Sequence, residues 1–328
     1  MDFKDMIGQK EVIESLTRSL SEGRIGHAYI FSGPAGIGKK TIARIFAGLL
    51  LCDDPQNGSA CGRCKPCLMM ENDSNPDYHS ISTDGLSIGV DLIREIQSDA
   101  VLKPMYSKRK VYIVEEAAIM TEQAQNCLLK TFEEPPGYVV VMLLTTNYEK
   151  LLETIRSRAQ HLKFRKYSRD EVYQALKLRY GNDEGMFGLA ADYSDGNIGT
   201  ALELAESGDF SKLRDQLLEL MPGAAQGKAR SVLELSAFMD TYRDNVSMLL
   251  DIMLLYYRDL LVMSETGKEN LLINSDKKDI ILNNARKYGS GRLVSCIEAI
   301  GASQRALKQN ASYQLVIDNL LIKLREDR

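Results

Sequence analysis

The stretch HAYIFSGPAGIGKKTIARIFAGLLL, residues 27–51, decides the fold. His27 to Phe31 is a short β-rich run that stops at Ser32-Gly33-Pro34-Ala35-Gly36. From Lys40 to Leu51 the apolar residues Ile42, Ile45, Phe46, Leu49 and Leu50 recur at helical spacing. Between strand and helix, Gly33 to Lys39 satisfies G-x-x-x-x-G-K. In that context the pattern cradles phosphate: glycines let backbone N–H groups converge, the helix N-terminus favours negative charge, and Lys39 reaches the β and γ oxygens. Gly33, Gly36, Gly38 and Lys39 are therefore candidate nucleotide-binding residues, together with the two that follow. The position after the loop lysine, normally Ser or Thr for Mg²⁺, is Lys40. Thr41 comes one place late, on a different face of the helix. The loop suits nucleotide binding but departs from what efficient Mg²⁺-dependent hydrolysis needs, so ATP/Mg²⁺ stays open as a cofactor.

Outward from the loop, Tyr78 to Ile81, Lys110 to Val114, Val139 to Leu144 and His161 to Phe164 read as further strands. Asp91 to Val101 and Ala124 to Glu134 read as helices between them, and residues 1–25 as a helix ending near Gly23. Continuous apolar strands alternating with helices predict a parallel sheet with helices on both faces. Residues 1–165 are thus one α/β domain. The strand at Val111–Val114 ends in Glu115-Glu116, where a nucleotide-hydrolysing site carries Asp-Glu. Glu115 is a methylene longer than the metal-orienting Asp, while Glu116 is placed to polarise a water. Past 165 the β signal disappears. Arg169–Arg179, Gly185–Ser194 and Asn197–Ser207 predict a small helical lid over 166–208. Residues 209–328 predict a helical bundle with breaks near Pro222-Gly223, Gly267, Ser275 and Gly289-Ser290-Gly291.

Of six cysteines, four lie within sixteen residues, Cys52, Cys61, Cys64 and Cys67, spaced C-x8-C-x2-C-x2-C. Thiolates on short Cys-x-x-Cys turns converge on one tetrahedral ion, and four of them leave no open position. A structural Zn²⁺ module at 52–70 is expected, with an iron–sulfur cluster as the rival. The composition, 328 residues with 44% hydrophobic and 26% charged, is that of a globular protein of two or three domains. No apolar run approaches the ~20 residues of a membrane helix, and the N-terminus does not read as a signal peptide, so a cytoplasmic location is expected. A net charge of -4 gives no basic footprint of an autonomous DNA-binding domain.

Taken in order, several further segments join these features. They are Ile7-Gly8-Gln9, Gly26-His27-Ala28-Tyr29, Asn75-Pro76-Asp77, Ala124 to Lys130, Glu133-Glu134-Pro135-Pro136 and Ser157-Arg158-Ala159. The set resembles the bacterial AAA+ clamp-loader family from residue 7 to about 208. Asn319-Leu320-Leu321 is the best match in the C-terminal helices. The resemblance implies an AAA+ P-loop domain with an inserted zinc module, a helical lid and an all-α collar that holds subunits together. It implies that Arg158 enters the ATP site of a neighbouring subunit and that Thr146 is a sensor residue. Two zinc-bearing classes of the family compete: an ATP-hydrolysing motor (gamma/tau) and a stator with an impaired site of its own. Lys40, Glu115 and Gly199, the last where the motor has its sensor Arg, favour the stator, as does an end at Arg328 without a long extension past the collar. Implied partners are the gamma/tau and delta subunits, with the sliding clamp and primed DNA within the complex. The alternatives are a working motor, with Thr41 or a water replacing the missing hydroxyl, and a DNA-binding module built on the zinc site.

Overall fold

The computed structural model describes residues 2–56, 58–83, 85–181, 186–226 and 228–325. They fall into two compact units, the first of Met1–Arg179 with Gly196–Thr200 and the second of Tyr180–Asp195 with Ala201–Arg328. The 166–208 segment is therefore divided between the units. Gly185, where a helix was expected to begin, and Arg328 lie outside the described residues.

In the first unit α1 (Lys10–Ser21), α2 (Lys39–Leu51), α3 (Lys65–Glu71), α4 (Val90–Ala100), α5 (Glu122–Glu133), α6 (Glu153–Arg156) and α7 (Arg169–Tyr180) intersperse five strands. These are β1 (Ala28–Ser32), β2 (Tyr78–Ile81), β3 (Lys110–Val114), β4 (Val139–Thr145) and β5 (Gln160–Lys163). All neighbours are parallel, in the order β2-β3-β4-β1-β5. Ile30, Tyr112, Val114, Val141 and Leu143 pack with Ile93 and Ile96 of α4 and with Ala124, Leu128 and Phe132 of α5. The alternate residues Tyr29, Phe31, Val111, Ile113 and Met142 are as deeply buried on the opposite face. There Tyr29 meets Phe46 of α2 edge-on at 5.3 Å. Burial on both faces explains why the strands read as unbroken apolar runs, each such side chain contributing about 1.5–3 kcal/mol. The sheet order reverses around β1, so the crevice at the carboxyl ends of β1 and β4, where Ser32 pairs with Thr145, is where such a fold binds ligands.

The first helix is shorter than the sequence suggests. Gly8 and Gln9 have φ of 74° and 48°, and this left-handed pair delays α1 until Lys10.

The second unit is helical: α8 (Met186–Tyr193), α9 (Ile198–Glu206, whose first turn belongs to the first unit), α10 (Phe210–Ala225), α11 (Ala229–Thr241), α12 (Val246–Thr266), α13 (Lys278–Ala285), α14 (Ser290–Lys308) and α15 (Tyr313–Arg325). The break expected near Pro222-Gly223 comes a little later: α10 runs to Ala225 and α11 begins at Ala229. Pro222 lies in the last turn, where its missing N–H and its ring weaken the helix just before it ends. The other three expected breaks coincide with helix boundaries, α12 stopping at left-handed Gly267. The apolar side of α12 packs against α10, α13 and α14. Its fully buried Asp259 accepts from the backbone N–H groups of Ile273 (3.1 Å) and Asn274 (2.8 Å).

Candidate functional site

Gly33 leaves β1 with its N–H donated to the Thr145 carbonyl (3.1 Å). A Cβ here would stand 2.9 Å from the backbone oxygen of Phe164, so the close approach of β5's continuation demands glycine. Gly36 is left-handed, φ 68°, and a side chain there would collide with the Asn197 amide. Gly38, φ 88°, turns the chain into α2. Lys39 is buried, 7% exposed, and donates to the carbonyls of Gly33 (2.7 Å) and Pro34 (2.6 Å). Desolvation lowers its pKa, opposed by the charge of Glu116. Glycine cradle and buried lysine fit the phosphates of a nucleotide.

The metal position does not fit Mg²⁺. Lys40 Nζ lies 2.7 Å from Glu115 Oε1, and Ser80 Oγ of the edge strand β2 donates to the same oxygen at 2.7 Å. Glu115 is four-fifths buried while Lys40 is well exposed. The two departures that the sequence shows separately are thus one ion pair. Unit charges ~4 Å apart at an effective dielectric near 20 interact by about 4 kcal/mol, and a divalent cation beside an ammonium doubles that in repulsion. Mg²⁺ also demands near-octahedral oxygen ligands at about 2.0–2.1 Å, and the hydroxyl that would supply one is absent at position 40. Glu116 is exposed at the strand end and left-handed at φ 48°. Thr41 lines a cleft of about 620 Å³ with Arg44, Gly48 and Cys67 beside the cysteine module.

A strap that the sequence did not reveal lies on the loop. Gly199 N–H donates to Gly36 O (2.9 Å), and Asn197 Nδ2 donates to Ala35 O (2.8 Å). A Cβ on Gly199 would sit 3.0 Å from Gly36 Cα and 3.1 Å from Gly36 O. The strap is held in turn by Tyr167, whose N–H donates to Gly196 O (2.9 Å) and whose hydroxyl reaches Ile37 O (3.4 Å). Gln9 brackets Arg165, accepting from its N–H (3.1 Å) and donating to its carbonyl (2.6 Å). Gln9 was legible only as part of a motif. Tyr167 and Ser80 carried no sequence signal.

Arg158 follows α6 and is partly exposed. Its Nη2 lies 3.2 Å from Glu133 Oε1, and its Nη1 donates to Thr154 O (3.1 Å). A surface pair of this kind contributes about 0–1 kcal/mol, so the guanidinium is held but readily released. Thr146 is exposed one residue past β4; the buried hydroxyl is that of Thr145, which donates to Asn147 O.

The cysteine module closes as its spacing predicts. The four Sγ atoms of Cys52, Cys61, Cys64 and Cys67 all lie within 4.8 Å of one another, a set able to hold a metal ion. The N–H of Cys61 donates to Cys52 Sγ (3.2 Å) and that of Cys64 to Cys61 Sγ (3.4 Å). Backbone hydrogen bonds from Arg63 and Cys64 pull Cys61 down to about 6, whereas burial pushes Cys52 and Cys67 up. Four sulfur donors without carboxylate or open position suit a structural, soft-ligand ion.

Two family profiles match the chain: "DNA polymerase III, delta subunit" over residues 8–168, and the C-terminal part of that subunit over residues 208–326. Subunit delta-prime of DNA polymerase III from Bacillus subtilis is 29% identical over 321 residues, 97% of this chain and 96% of that one. The chain belongs to the DNA polymerase III clamp-loader family. The gamma subunit of Buchnera aphidicola is 36% identical over 209 residues, 62% of this chain and 57% of that subunit, so the chain spans little more than half of that relative. Among solved structures, a gamma subunit-related protein of Thermotoga maritima superposes with a TM-score of 0.54 at 20% identity, covering 95% of this chain and 98% of that one. That likeness establishes the fold, a parallel α/β sheet domain with a largely helical C-terminal region.

Proposed function

We propose that the chain is a delta-prime-like stator of the DNA polymerase III clamp loader. It would support ATP-dependent loading of a sliding clamp onto primed DNA and present Arg158 to the ATP of an adjoining gamma/tau motor. The observation that carries this reading is the seat of Gly199 on Gly36. A motor places an arginine at this point of the lid to couple closure to the γ-phosphate. Here the backbones are in contact, and no guanidinium can be delivered from that position. The chain's own site would then contribute little turnover, and its chemistry would act in trans. A guanidinium aimed at a neighbour's transferred phosphoryl group stabilises developing charge and is worth about 10³–10⁵ in rate in well-studied cases.

On this reading residues 166–208 serve as the lid and 209–328 as the collar that meets gamma/tau and delta subunits. Zn²⁺ occupies the four cysteines as a structural ion. The subunit works in the cytoplasm; no helix among the described residues is long and apolar enough to cross a membrane.

The test is ATP hydrolysis by the purified chain with Mg²⁺ and primed DNA, beside Lys39→Ala. No turnover above background is expected in either. In a reconstituted loader Arg158→Ala should slow the abutting motor site, seen in single turnover, while leaving subunit assembly intact. Turnover of the chain alone that Lys39→Ala abolishes would make it a motor instead.

A further inference from the structure

We infer that this chain's phosphate loop takes a nucleoside di- or triphosphate without a divalent cation, because the metal position is filled from within by Lys40. The inference rests on the loop being a nucleotide cradle and goes beyond the stator reading, which concerns turnover. In a metal-dependent loop, a hydroxyl after the lysine and an acid at the end of the third strand together hold Mg²⁺ against the β and γ oxygens. This chain replaces both partners at once. Lys40 Nζ lies 2.7 Å from Glu115 Oε1, and the Ser80 hydroxyl satisfies the same carboxylate. The acid that would orient hydrated metal is neutralised before any ligand arrives. The positive charge of Lys40 already stands beside the carboxylate that would orient the cation.

The two lysines divide the work. Lys39 is buried and fixed on Gly33 O and Pro34 O. Among the described residues Lys40 is held only at Glu115, and it is 63% exposed, so its four-carbon stem can swing its ammonium onto a phosphate oxygen. Neither of the strap's two bonds uses a loop N–H: Asn197 and Gly199 take the carbonyls of Ala35 and Gly36. The phosphate-facing donors of the cradle stay uncommitted to the strap.

Titration of the full chain with a fluorescent ATP analogue, in EDTA and in excess Mg²⁺, tests this directly. The two dissociation constants should agree within about threefold, and Lys39→Ala should abolish binding in both conditions. The double variant Lys40→Thr with Glu115→Asp rebuilds the metal position and should bind at least about tenfold more weakly in EDTA than in Mg²⁺. Binding by the unaltered chain that needs Mg²⁺, or no binding in either condition, would overturn the inference, and that comparison depends on no variant folding. Hydrolysis would overturn the stator reading instead, so the two failures are distinguishable.

Discussion

Two places in the first unit gather groups of the kind that hold metal ions, and they are provided with a cation in opposite ways. At the cysteine module four sulfurs converge within 4.8 Å, a set able to hold an external cation. At the phosphate loop the acid of β3 is paired with Lys40 of α2, and the cation belongs to the chain. A site whose donors lack an internal counter-charge depends on its metal for folding. On the proposed reading, a site that carries its own has given up the metal and, with it, the chemistry metal supports. On the reading proposed above, the same chain keeps one ion position as structure and closes the other.

The largest effect that would break this contrast is at the cysteines. Structural zinc contributes about 10–16 kcal/mol in small zinc-finger peptides, so Cys64→Ser or a strong chelator should release about one equivalent of metal and expose residues 52–70 to protease. Metal analysis with limited proteolysis reads this. If chelation neither releases metal nor opens the segment, the cysteines are four thiols and the contrast is empty.

Asp77 sharpens the comparison by a third solution. This wholly buried carboxylate accepts the backbone N–H groups of Met105 (2.7 Å), Tyr106 (2.8 Å) and Ser107 (2.8 Å), so its charge is met by dipoles rather than by a cation. Asp77→Ala should destabilise the chain by about 3–5 kcal/mol, leaving three donors unpaired in the loop before β3. Thermal unfolding checks it. A loss below about 1 kcal/mol would mean that water replaces the carboxylate.

The strap gives a smaller effect. Gly199→Arg, which installs the motor's residue, must displace a backbone contact at 3.0 Å and should cost about 1–3 kcal/mol without creating turnover. Full stability together with new ATP hydrolysis would show that the lid can open away from Gly36, and that Gly199 is a replaceable part of a motor.

How much of this the sequence disclosed depends on the range of the interaction. The strands, the phosphate loop and the cysteine module were legible because their signals are local: unbroken apolar runs, fixed glycine spacing, two Cys-x-x-Cys turns. Lys40 and Glu115 were legible as substitutions, but their pairing was not, since nothing local records which side chains a parallel crossover brings together. Asn197 and Ala35, 162 residues apart, are the extreme case. The break near Pro222 was displaced by a few residues for a different reason: a proline in a final helical turn looks, in sequence, like a proline just past the helix end.

The smallest effect belongs to the ion pair that fastens the strap's support. Arg165 holds Glu171 in a two-pronged pair, Nη1 to Oε2 at 2.8 Å and Nη2 to Oε1 at 2.6 Å, and the N–H of Ser168 donates to Oε2 at 2.8 Å. The guanidinium, with these hydrogen bonds, draws Glu171 from the usual 4.5 down to about 2. Because the folded value lies below the unfolded one, the stabilisation is complete above pH 4.5 and is lost as pH falls from there toward 2. Arg165 is more than half exposed, so solvent screening reduces the contribution to about 1–2 kcal/mol. Glu171→Gln should therefore lower stability by that amount at pH 7 and by almost nothing near pH 2, as read by denaturant unfolding across the range. A deficit of equal size at both pH values would show that the glutamate acts through packing rather than charge. The anchoring of Tyr167 beside Gly8 would then be steric alone, since a Cβ on Gly8 would already meet the Tyr167 ring.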